Sequence, residues 1–214
     1  MKVIDLTHTI RETMPVFPGT EQPSLRGVSS YERDGFRETN VSFCTHVGTH
    51  VDPPAHVIAG GKTLDQYDAS QFIGRALVID CSTLKEGDGI SMDCLEPYGD
   101  MTKDADFLLF YTGWDAYWGT PQYFGQYPCI DEDVLAYVVH GAYKGIGFDT
   151  LGIDPVHDAM LTRHVRLFQQ ADCIIIENLK NLHACGNRLC WFSCFPLKID
   201  NSDGAPARAV AWLE

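Results

Sequence analysis

Residues 46–56 read His46-Val-Gly-Thr-His50-Val-Asp52-Pro-Pro-Ala-His56, which places three of the chain's eight histidines and one aspartate in a single short stretch. The glycine and the two prolines disfavour a helix here, so we expect a strand end or a loop. Side chains two residues apart in extended backbone point to the same side, which brings His50 and Asp52 together, and His46 can fold back past the glycine to join them. Imidazole nitrogens and a carboxylate oxygen are suitable ligands for zinc or manganese. The stretch therefore predicts a metal site.

Two residues far downstream are candidates for completing this site. Glu177 ends the apolar run Cys173-Ile-Ile-Ile, and a carboxylate in that position is costly to bury unless it is paired or bound to a cation. His164 lies in a segment, residues 157–170, that the sequence predicts to be helical. The start of a helix and the end of a strand need not lie at the same edge of a sheet. His164 is therefore open to two interpretations, a metal ligand or a solvent-exposed helix residue.

The rest of the chain predicts an α/β fold. Compact apolar runs suit strands that are buried on both faces, and in the second half they alternate with segments of helical periodicity. The predicted strands are residues 3–6, 40–47, 75–80, 106–111, 145–149, 173–177 and 189–199, and the predicted helices are residues 131–141 and 157–170. No repeat or linker divides the sequence. We therefore expect a single domain over residues 1–214, with a mixed sheet flanked by helices.

Composition excludes several classes of partner. The chain has 29 acidic and 16 basic residues, for a net charge of −13, and no cluster of Lys or Arg. Such a chain lacks the basic surface that binds nucleic acid or anionic membranes. Its apolar runs are far shorter than the roughly 20 residues of a membrane-spanning helix, and Asp5 and His8 interrupt any early signal-like run. We expect a cytoplasmic protein whose eight cysteines are reduced thiols.

The quoted stretch resembles the HxGTHxDxPxH motif of the metal-dependent cyclase/hydrolase family, whose members include bacterial kynurenine formamidases and isatin hydrolases. The resemblance extends over nearly the whole chain, and it implies a layered β/β/α cyclase-like fold assembled as a homodimer or homotetramer. Its other landmarks are residues 4–8 (IDLTH), 17–19 (FPG), 111–114 (YTGW), 147–154 (GFDTLGID), 176–179 (IENL) and 203–211 (DGAPARAVA).

The resemblance also implies roles for single residues. Two divalent metal ions, zinc or manganese, would be bound per subunit, with Asp52 bridging between them. His56 falls where the family has its catalytic acid/base, and Phe17 where formamidases carry an aromatic residue that packs on the substrate. The implied metal ligands are His46, His50 and Asp52 for the first ion, and Asp52, His164 and Glu177 for the second.

Three departures from the family pattern bear on these roles. Thr20 and Val57 replace a common aspartate and a common phenylalanine, which affects substrate selection. His164 and Glu177 are about one residue further apart than is usual, and His157 is the fallback ligand.

The function that the resemblance implies is hydrolysis of a C–N bond in an aryl or cyclic amide, by a metal-bound hydroxide with His56 as acid/base. Kynurenine formamidase activity, which converts N-formylkynurenine to kynurenine and formate in tryptophan catabolism, is the best candidate. The alternative is an isatin hydrolase-like activity or hydrolysis of another cyclic amide. A hypothesis of another class is a non-catalytic metal-binding protein on the same scaffold.

Two further groups of residues have an ordinary and a functional interpretation. Cys185, Cys190 and Cys194 do not have the paired short spacings of structural zinc sites, so packing is favoured over metal binding; for Cys44, next to the motif, packing is favoured too. The aromatic stretch at residues 111–118 (YTGWDAYW) is equally compatible with core packing and with a hydrophobic wall for an aromatic substrate.

Overall fold

A computed structural model describes residues 1–213 of the chain. Its strands are β1 (Lys2–Asp5), β2 (Ser24–Ser29), β3 (Glu38–Ser42), β4 (His50–Asp52), β5 (Ile73–Asp80), β6 (Gly89–Ile90), β7 (Phe107–Tyr111), β8 (Cys129–Ile130), β9 (Gly145–Phe148), β10 (Ile174–Glu177), β11 (Cys190–Pro196) and β12 (Ala205–Leu213). The α-helices are α1 (Tyr31–Asp34), α2 (Glu132–His140) and α3 (Thr162–Gln170). Short 3-10 helices lie in the connections, at Pro54–His56, Leu64–Gln66, Ala69–Phe72, Met92–Cys94, Glu96–Thr102, Trp114–Tyr117, Pro121–Phe124 and Leu182–Cys185.

The main sheet closes on itself. Its strand order is β1-β12-β11-β5-β7-β9-β10-β4, and β4 also pairs with β12, so the strands from β12 to β4 form a seven-stranded barrel with β1 added beside β12. Strands β5, β7, β9 and β10 are parallel, whereas β4, β11, β12 and β1 pair antiparallel. The mixed α/β architecture agrees with the prediction. The layered arrangement is not confirmed, because the pairing describes a barrel.

The parallel strands of the barrel are buried on both faces along most of their length. In β5, Ala76 and Val78 belong to the apolar cluster inside the barrel, while Leu77 and Ile79 belong to the cluster outside it. The outer cluster also contains the apolar faces of the two long helices, through Val134, Leu135 and Val138 of α2 and Leu167 and Phe168 of α3. Continuous rather than alternating apolar runs are what such strands require.

Several predictions differ from the structure. The strand predicted at residues 189–199 ends at Pro196, and residues 50–52, expected in a strand end or a loop, form strand β4. Strand β3 ends at Ser42, so residues 43–47 form a loop instead of continuing the strand. Helix α3 begins at Thr162 and not at residue 157, because Leu161 has a left-handed backbone (φ 48°) and the Asp158 carboxylate accepts a hydrogen bond from the Thr162 N–H. Strand β12 lies in a segment for which no strand was predicted.

Helix α3 connects two parallel neighbours, β9 and β10, and therefore runs back along the sheet between them. Its first turn consequently lies at the edge where both strands end. On the other side of β10 is β4, which carries part of the histidine motif. Within the part of the chain that the structure describes, no helix is long and apolar enough to cross a membrane.

Candidate metal centre

The register of β4 against β10 forms the centre of the site. His50 lies directly opposite Glu177 in this antiparallel pair, so their side chains share a face. Asp52 is two residues further along β4 and faces the same way. His50 Nε2 is 3.2 Å from Asp52 Oδ1 and 3.5 Å from Glu177 Oε2. All three side chains are buried, so the backbone pairing fixes their relative positions.

His46 reaches the centre from the loop after β3. Its Nδ1 is 2.7 Å from Asp52 Oδ1, and its Nε2 is 3.4 Å from Asp203 Oδ2. The imidazole lies against the backbone of Gly204, where a Cβ atom would overlap the ring. The Asp203-Gly204 turn before β12 therefore leaves the space that His46 occupies.

His164 comes from the first turn of α3. Its Nε2 is 3.2 Å from Glu177 Oε1 and 3.6 Å from Asp52 Oδ2. The side chain is only 4% exposed, so the interpretation of His164 as a solvent-exposed helix residue is wrong. His157, the fallback ligand, is exposed and lines a neighbouring cavity instead.

Asp154 is a residue of the site for which the sequence analysis gave no role. One carboxylate oxygen accepts a hydrogen bond from the Arg163 N–H at 2.7 Å, and the other lies 2.6 Å from His164 Nδ1 and 3.1 Å from its backbone nitrogen. Asp154 thus accepts from the first turn of α3 and orients the imidazole, and an Nδ1–H donated to Asp154 would leave Nε2 for a metal ion. Asp154 lies eight residues before α3 begins at Thr162, so it is not a local N-cap residue and the sequence carries no capping signal for it.

His56 faces the same space from the turn at Pro54–His56. Its ring centroid is 3.9 Å from that of His46 and 5.6 Å from that of His164. Burial, opposed by the nearby Asp52 carboxylate, lowers the pKa of His56 to about 4. The imidazole is therefore neutral near pH 7 and can accept a proton.

The electrostatics of the centre favour a cation. Burial opposes charge on His50, yet Asp52 and Glu177 raise its pKa to about 9. The two carboxylates therefore stabilise a positive charge at this position. Asp52 Oδ2 and His164 Nε2 are buried and lack hydrogen-bond partners. Unpaired buried atoms of this kind are expensive unless they have a ligand. This donor set fits a divalent metal ion.

Two groups of donor atoms are close enough to share an ion. His50, Asp52 and Glu177 form one group, and His46, Asp52 and His56 form the other; in each group the donor atoms lie within 4.8 Å of one another. Asp52 belongs to both groups, as a bridging carboxylate would. The second group contains His56, so the geometry allows this residue a ligand role as well as an acid/base role.

A cavity of about 560 Å³ opens above these groups. Its floor is formed by the buried histidines and carboxylates, and its walls include Phe17, which is 42% exposed. Thr20 and Cys44 also line it, whereas Val57 packs against the outer apolar cluster. The remaining lining residues of the walls include Pro15, Val16, Gly19, Glu21, Tyr127, Leu151, Pro155, Asp158, Ala159, Leu161 and Asn178.

The three downstream cysteines and the aromatic stretch pack away from this cavity. Cys44 is instead exposed and lines the cavity, so the expectation that it packs in the core is wrong. Cys185, Cys190 and Cys194 lie in the cluster inside the barrel, which agrees with packing. Within residues 1–213 no cysteine belongs to a group that could hold a metal ion. Trp114 and Trp118 pack with Tyr123 and Tyr127 in a third apolar cluster, and the stretch at residues 111–118 contributes no residue to the cavity lining.

Comparison with known proteins identifies relatives. The family model "Cyclase", described as "Putative cyclase", matches residues 4–155. A kynurenine formamidase of Geobacillus thermodenitrificans is 29% identical over 97% of this chain and 95% of its own length. A "predicted metal-dependent hydrolase" from Bacillus stearothermophilus has a similar structure, with a TM-score of 0.79 and 27% identity over 98% of this chain and 97% of that one.

The fold is also that of a solved enzyme structure. Isatin hydrolase A from Ralstonia solanacearum superposes with a TM-score of 0.86, covering 100% of this chain and 92% of that one, at 23% identity. At that identity the similarity describes the fold alone.

Proposed function

The chain belongs to the cyclase family, and on that premise we propose that it is a metal-dependent hydrolase of C–N bonds in aryl or cyclic amides. The observation that carries the proposal is the convergence of His50, Asp52, Glu177 and His164 below the cavity, with two buried polar atoms lacking partners. The kynurenine formamidase relative supports a formamide substrate. Arylformamidase activity on N-formylkynurenine is therefore the specific activity that we propose.

We propose zinc or manganese as the cofactor, two ions per subunit, held by His46, His50, Asp52, His164 and Glu177. Asp52 Oδ1 lies near His46 and His50 and Asp52 Oδ2 lies near His164, which supports two ions that share this carboxylate. A divalent ion supplies polarisation of the amide carbonyl and a lowered pKa of water.

The protein's own groups handle the proton and the ring. Neutral His56 accepts the proton of the attacking water on an imidazole nitrogen and then passes that proton to the leaving nitrogen. Phe17 and the apolar lining residues Val16, Leu151 and Leu161 pack against the aromatic part of the substrate. Such a wall positions the ring and excludes water from the scissile bond.

An isatin-type lactam is the second candidate substrate. The cavity has a volume of about 560 Å³, and isatin hydrolase A, a protein of the same fold, supports a lactam as the second substrate class to test. Phe17 and Thr20 line the cavity, where they would contact either type of substrate.

We also propose that the chain assembles as a homodimer or homotetramer. Strands β2 and β3 form a separate two-stranded ribbon without a buried residue, and its Leu25, Tyr31, Phe36 and Val41 are exposed. An isolated two-stranded ribbon is at best marginally stable in water, so a second copy is the support that we expect. Sedimentation velocity of the protein would show a monomer if this expectation is wrong.

The test of the function is turnover of N-formylkynurenine and isatin, side by side, by zinc- and manganese-loaded protein, with Asp52→Ala as the inactive control. The proposal is supported if the native chain hydrolyses either substrate and the Asp52→Ala variant hydrolyses neither. Stoichiometric metal binding without turnover of either compound, or of simple formanilides, would favour the non-catalytic metal-binding protein.

A further inference from the structure

The mouth of the cavity has an uneven distribution of charge. Among residues 1–213, the lining includes neither lysine nor arginine, whereas Glu21 and Asp158 both contribute to it. The exposed members of the lining, which mark the mouth, are Phe17, Gly19, Glu21, Cys44 and Ala159. The chain as a whole carries a net charge of −13, so its field adds to this local bias. A substrate entering the cavity meets negative potential before it reaches the floor.

A tight turn sets two of these side chains at the mouth. The Thr20 N–H donates to the Phe17 carbonyl at 2.9 Å, and Gly19 has a φ of 95°. Proline followed by a glycine with positive φ is the arrangement of a type II turn. Phe17 is the first residue of this turn and Glu21 directly follows it, so both side chains lie on the same rim of the cavity.

Of the two lining carboxylates Glu21 and Asp158, only that of Glu21 is free to bind a ligand. Both oxygens of Asp158 accept backbone hydrogen bonds, from the N–H groups of Met160 and Thr162. Within the described residues, the Glu21 carboxylate makes neither a hydrogen bond nor an ion pair, and it is exposed. An aromatic face together with an unpaired carboxylate is a combination that attracts an organic cation. A carboxylate at the same place would find no side-chain cation to bind.

We propose that Glu21 and Phe17 make this cavity favour amides that carry an ammonium group at the end remote from the scissile bond, as N-formylkynurenine does beside its carboxylate, over amides whose only charge there is a carboxylate. The inference rests on the proposed function, because it names the substrate class of the same site. It assigns Glu21 as a specificity-determining residue. The metal-binding floor takes no part in the discrimination.

Three para-substituted formanilides of similar size test the proposal with metal-loaded protein. They carry an aminomethyl group (cationic), a methyl group (neutral) or a carboxymethyl group (anionic). We expect kcat/KM to fall in that order, with a ratio of cationic to anionic substrate of about tenfold or more, because opposite and like charges near a protein surface differ by this amount. The ratio should shrink in 0.5 M salt, since exposed charges are screened at about this ionic strength.

Variants at the mouth locate the effect. Glu21→Gln should lower the ratio of cationic to anionic kcat/KM by about threefold to fivefold, and Glu21→Lys should reverse the preference. The matched controls are Glu38→Gln and Glu38→Lys, which change the net charge equally on the exposed strand β3, outside the cavity lining. Phe17→Leu should lower the preference for the cationic over the neutral substrate about twofold to fivefold.

The outcomes separate this inference from the proposed function. If the neutral formanilide is hydrolysed but Glu21→Lys changes the charge ratio no more than Glu38→Lys, the inference is overturned and the function stands. If none of the three formanilides is hydrolysed, turnover of N-formylkynurenine and isatin decides the function, and the inference is decided by calorimetric binding of the three corresponding anilines. The order cationic, neutral, anionic in affinity supports it, and equal or opposite affinities overturn it.

Discussion

The floor and the mouth of the cavity are built in opposite ways. At the floor, His50, Asp52 and Glu177 are buried and are placed by the pairing of β4 with β10. At the mouth, Phe17 and Glu21 are exposed and stand on a turn that belongs to no strand of the barrel. The comparison teaches that the barrel backbone fixes the proposed metal ligands, while the residues proposed to select the substrate stand on a loop. Substitutions at the floor should therefore lower turnover or metal binding, whereas substitutions at the mouth should change only the interaction with the substrate.

The largest effect is expected at the centre of the floor, from Asp52→Ala. Asp52 lies within 3.6 Å of His46, His50 and His164, so its loss leaves three imidazoles without their common carboxylate. Turnover should fall by more than the roughly 10²–10⁴-fold that removal of a proton-transfer group costs, and bound metal should be lost with it. Metal analysis by plasma emission spectroscopy checks the second point. Full metal occupancy in this variant would rule out the bridging role.

The next largest effect is expected from His56→Ala. If His56 moves protons and does not bind metal, turnover falls by roughly 10²–10⁴-fold while the metal content stays at the native level. The prediction is sharp because His56 also lies in a donor group with His46 and Asp52. A variant that loses metal together with activity would show that His56 is a ligand.

Asp154→Asn tests the support beneath the floor. Loss of the carboxylate charge that orients His164 should weaken metal binding by about 10–100-fold, the usual effect of a residue that holds a metal-binding histidine. Chelator competition measures the affinity, and ¹⁵N NMR of the imidazole reports the tautomer. Asp149→Asn is the matched control, since Asp149 is equally buried but accepts its hydrogen bonds from Thr112 and Gly113. Equal losses in the two variants would mean a general packing defect.

Phe17→Leu at the mouth should have the smallest effect. Replacing one aromatic contact with the substrate ring costs about 0.5–1.5 kcal/mol, or about twofold to tenfold in kcat/KM. Metal content and the unfolding temperature should not change, because the side chain is exposed and remote from the barrel core. A change in bound metal would show that the mouth and the floor are not independent.

Site residues whose position follows from local backbone geometry could be predicted from the sequence, whereas residues placed by contacts between distant elements could not. Alternation in extended backbone was enough to bring His50 and Asp52 to one face, and a carboxylate at the end of an apolar run identified Glu177. The residues alone left His164 open between a ligand and an exposed helix residue, because its position follows from α3 running back between the parallel strands β9 and β10. Only the family resemblance implied that it is a ligand. The start of α3 was predicted too early, since the left-handed backbone of Leu161 delays it to Thr162.

Other features depend on contacts that leave little local signal. Strand β12 is rich in small residues and contains a proline, and it is held by pairing with β1, β11 and β4 rather than by its own propensity. Barrel closure depends on the same strand. Asp154 would have required the geometry of the helix start to be known, because its role is defined by the His164 side chain.

The central claim is that this set of histidines and carboxylates holds metal ions. Anomalous X-ray diffraction from crystals of zinc- or manganese-loaded protein, recorded on both sides of the metal absorption edge, tests it directly. We predict peaks bounded by His46, His50, Asp52, His164 and Glu177, with Asp52 touching both ions and His56 not coordinated. Peaks surrounded by other residues, or none beside Asp52 in fully loaded crystals, would contradict the account.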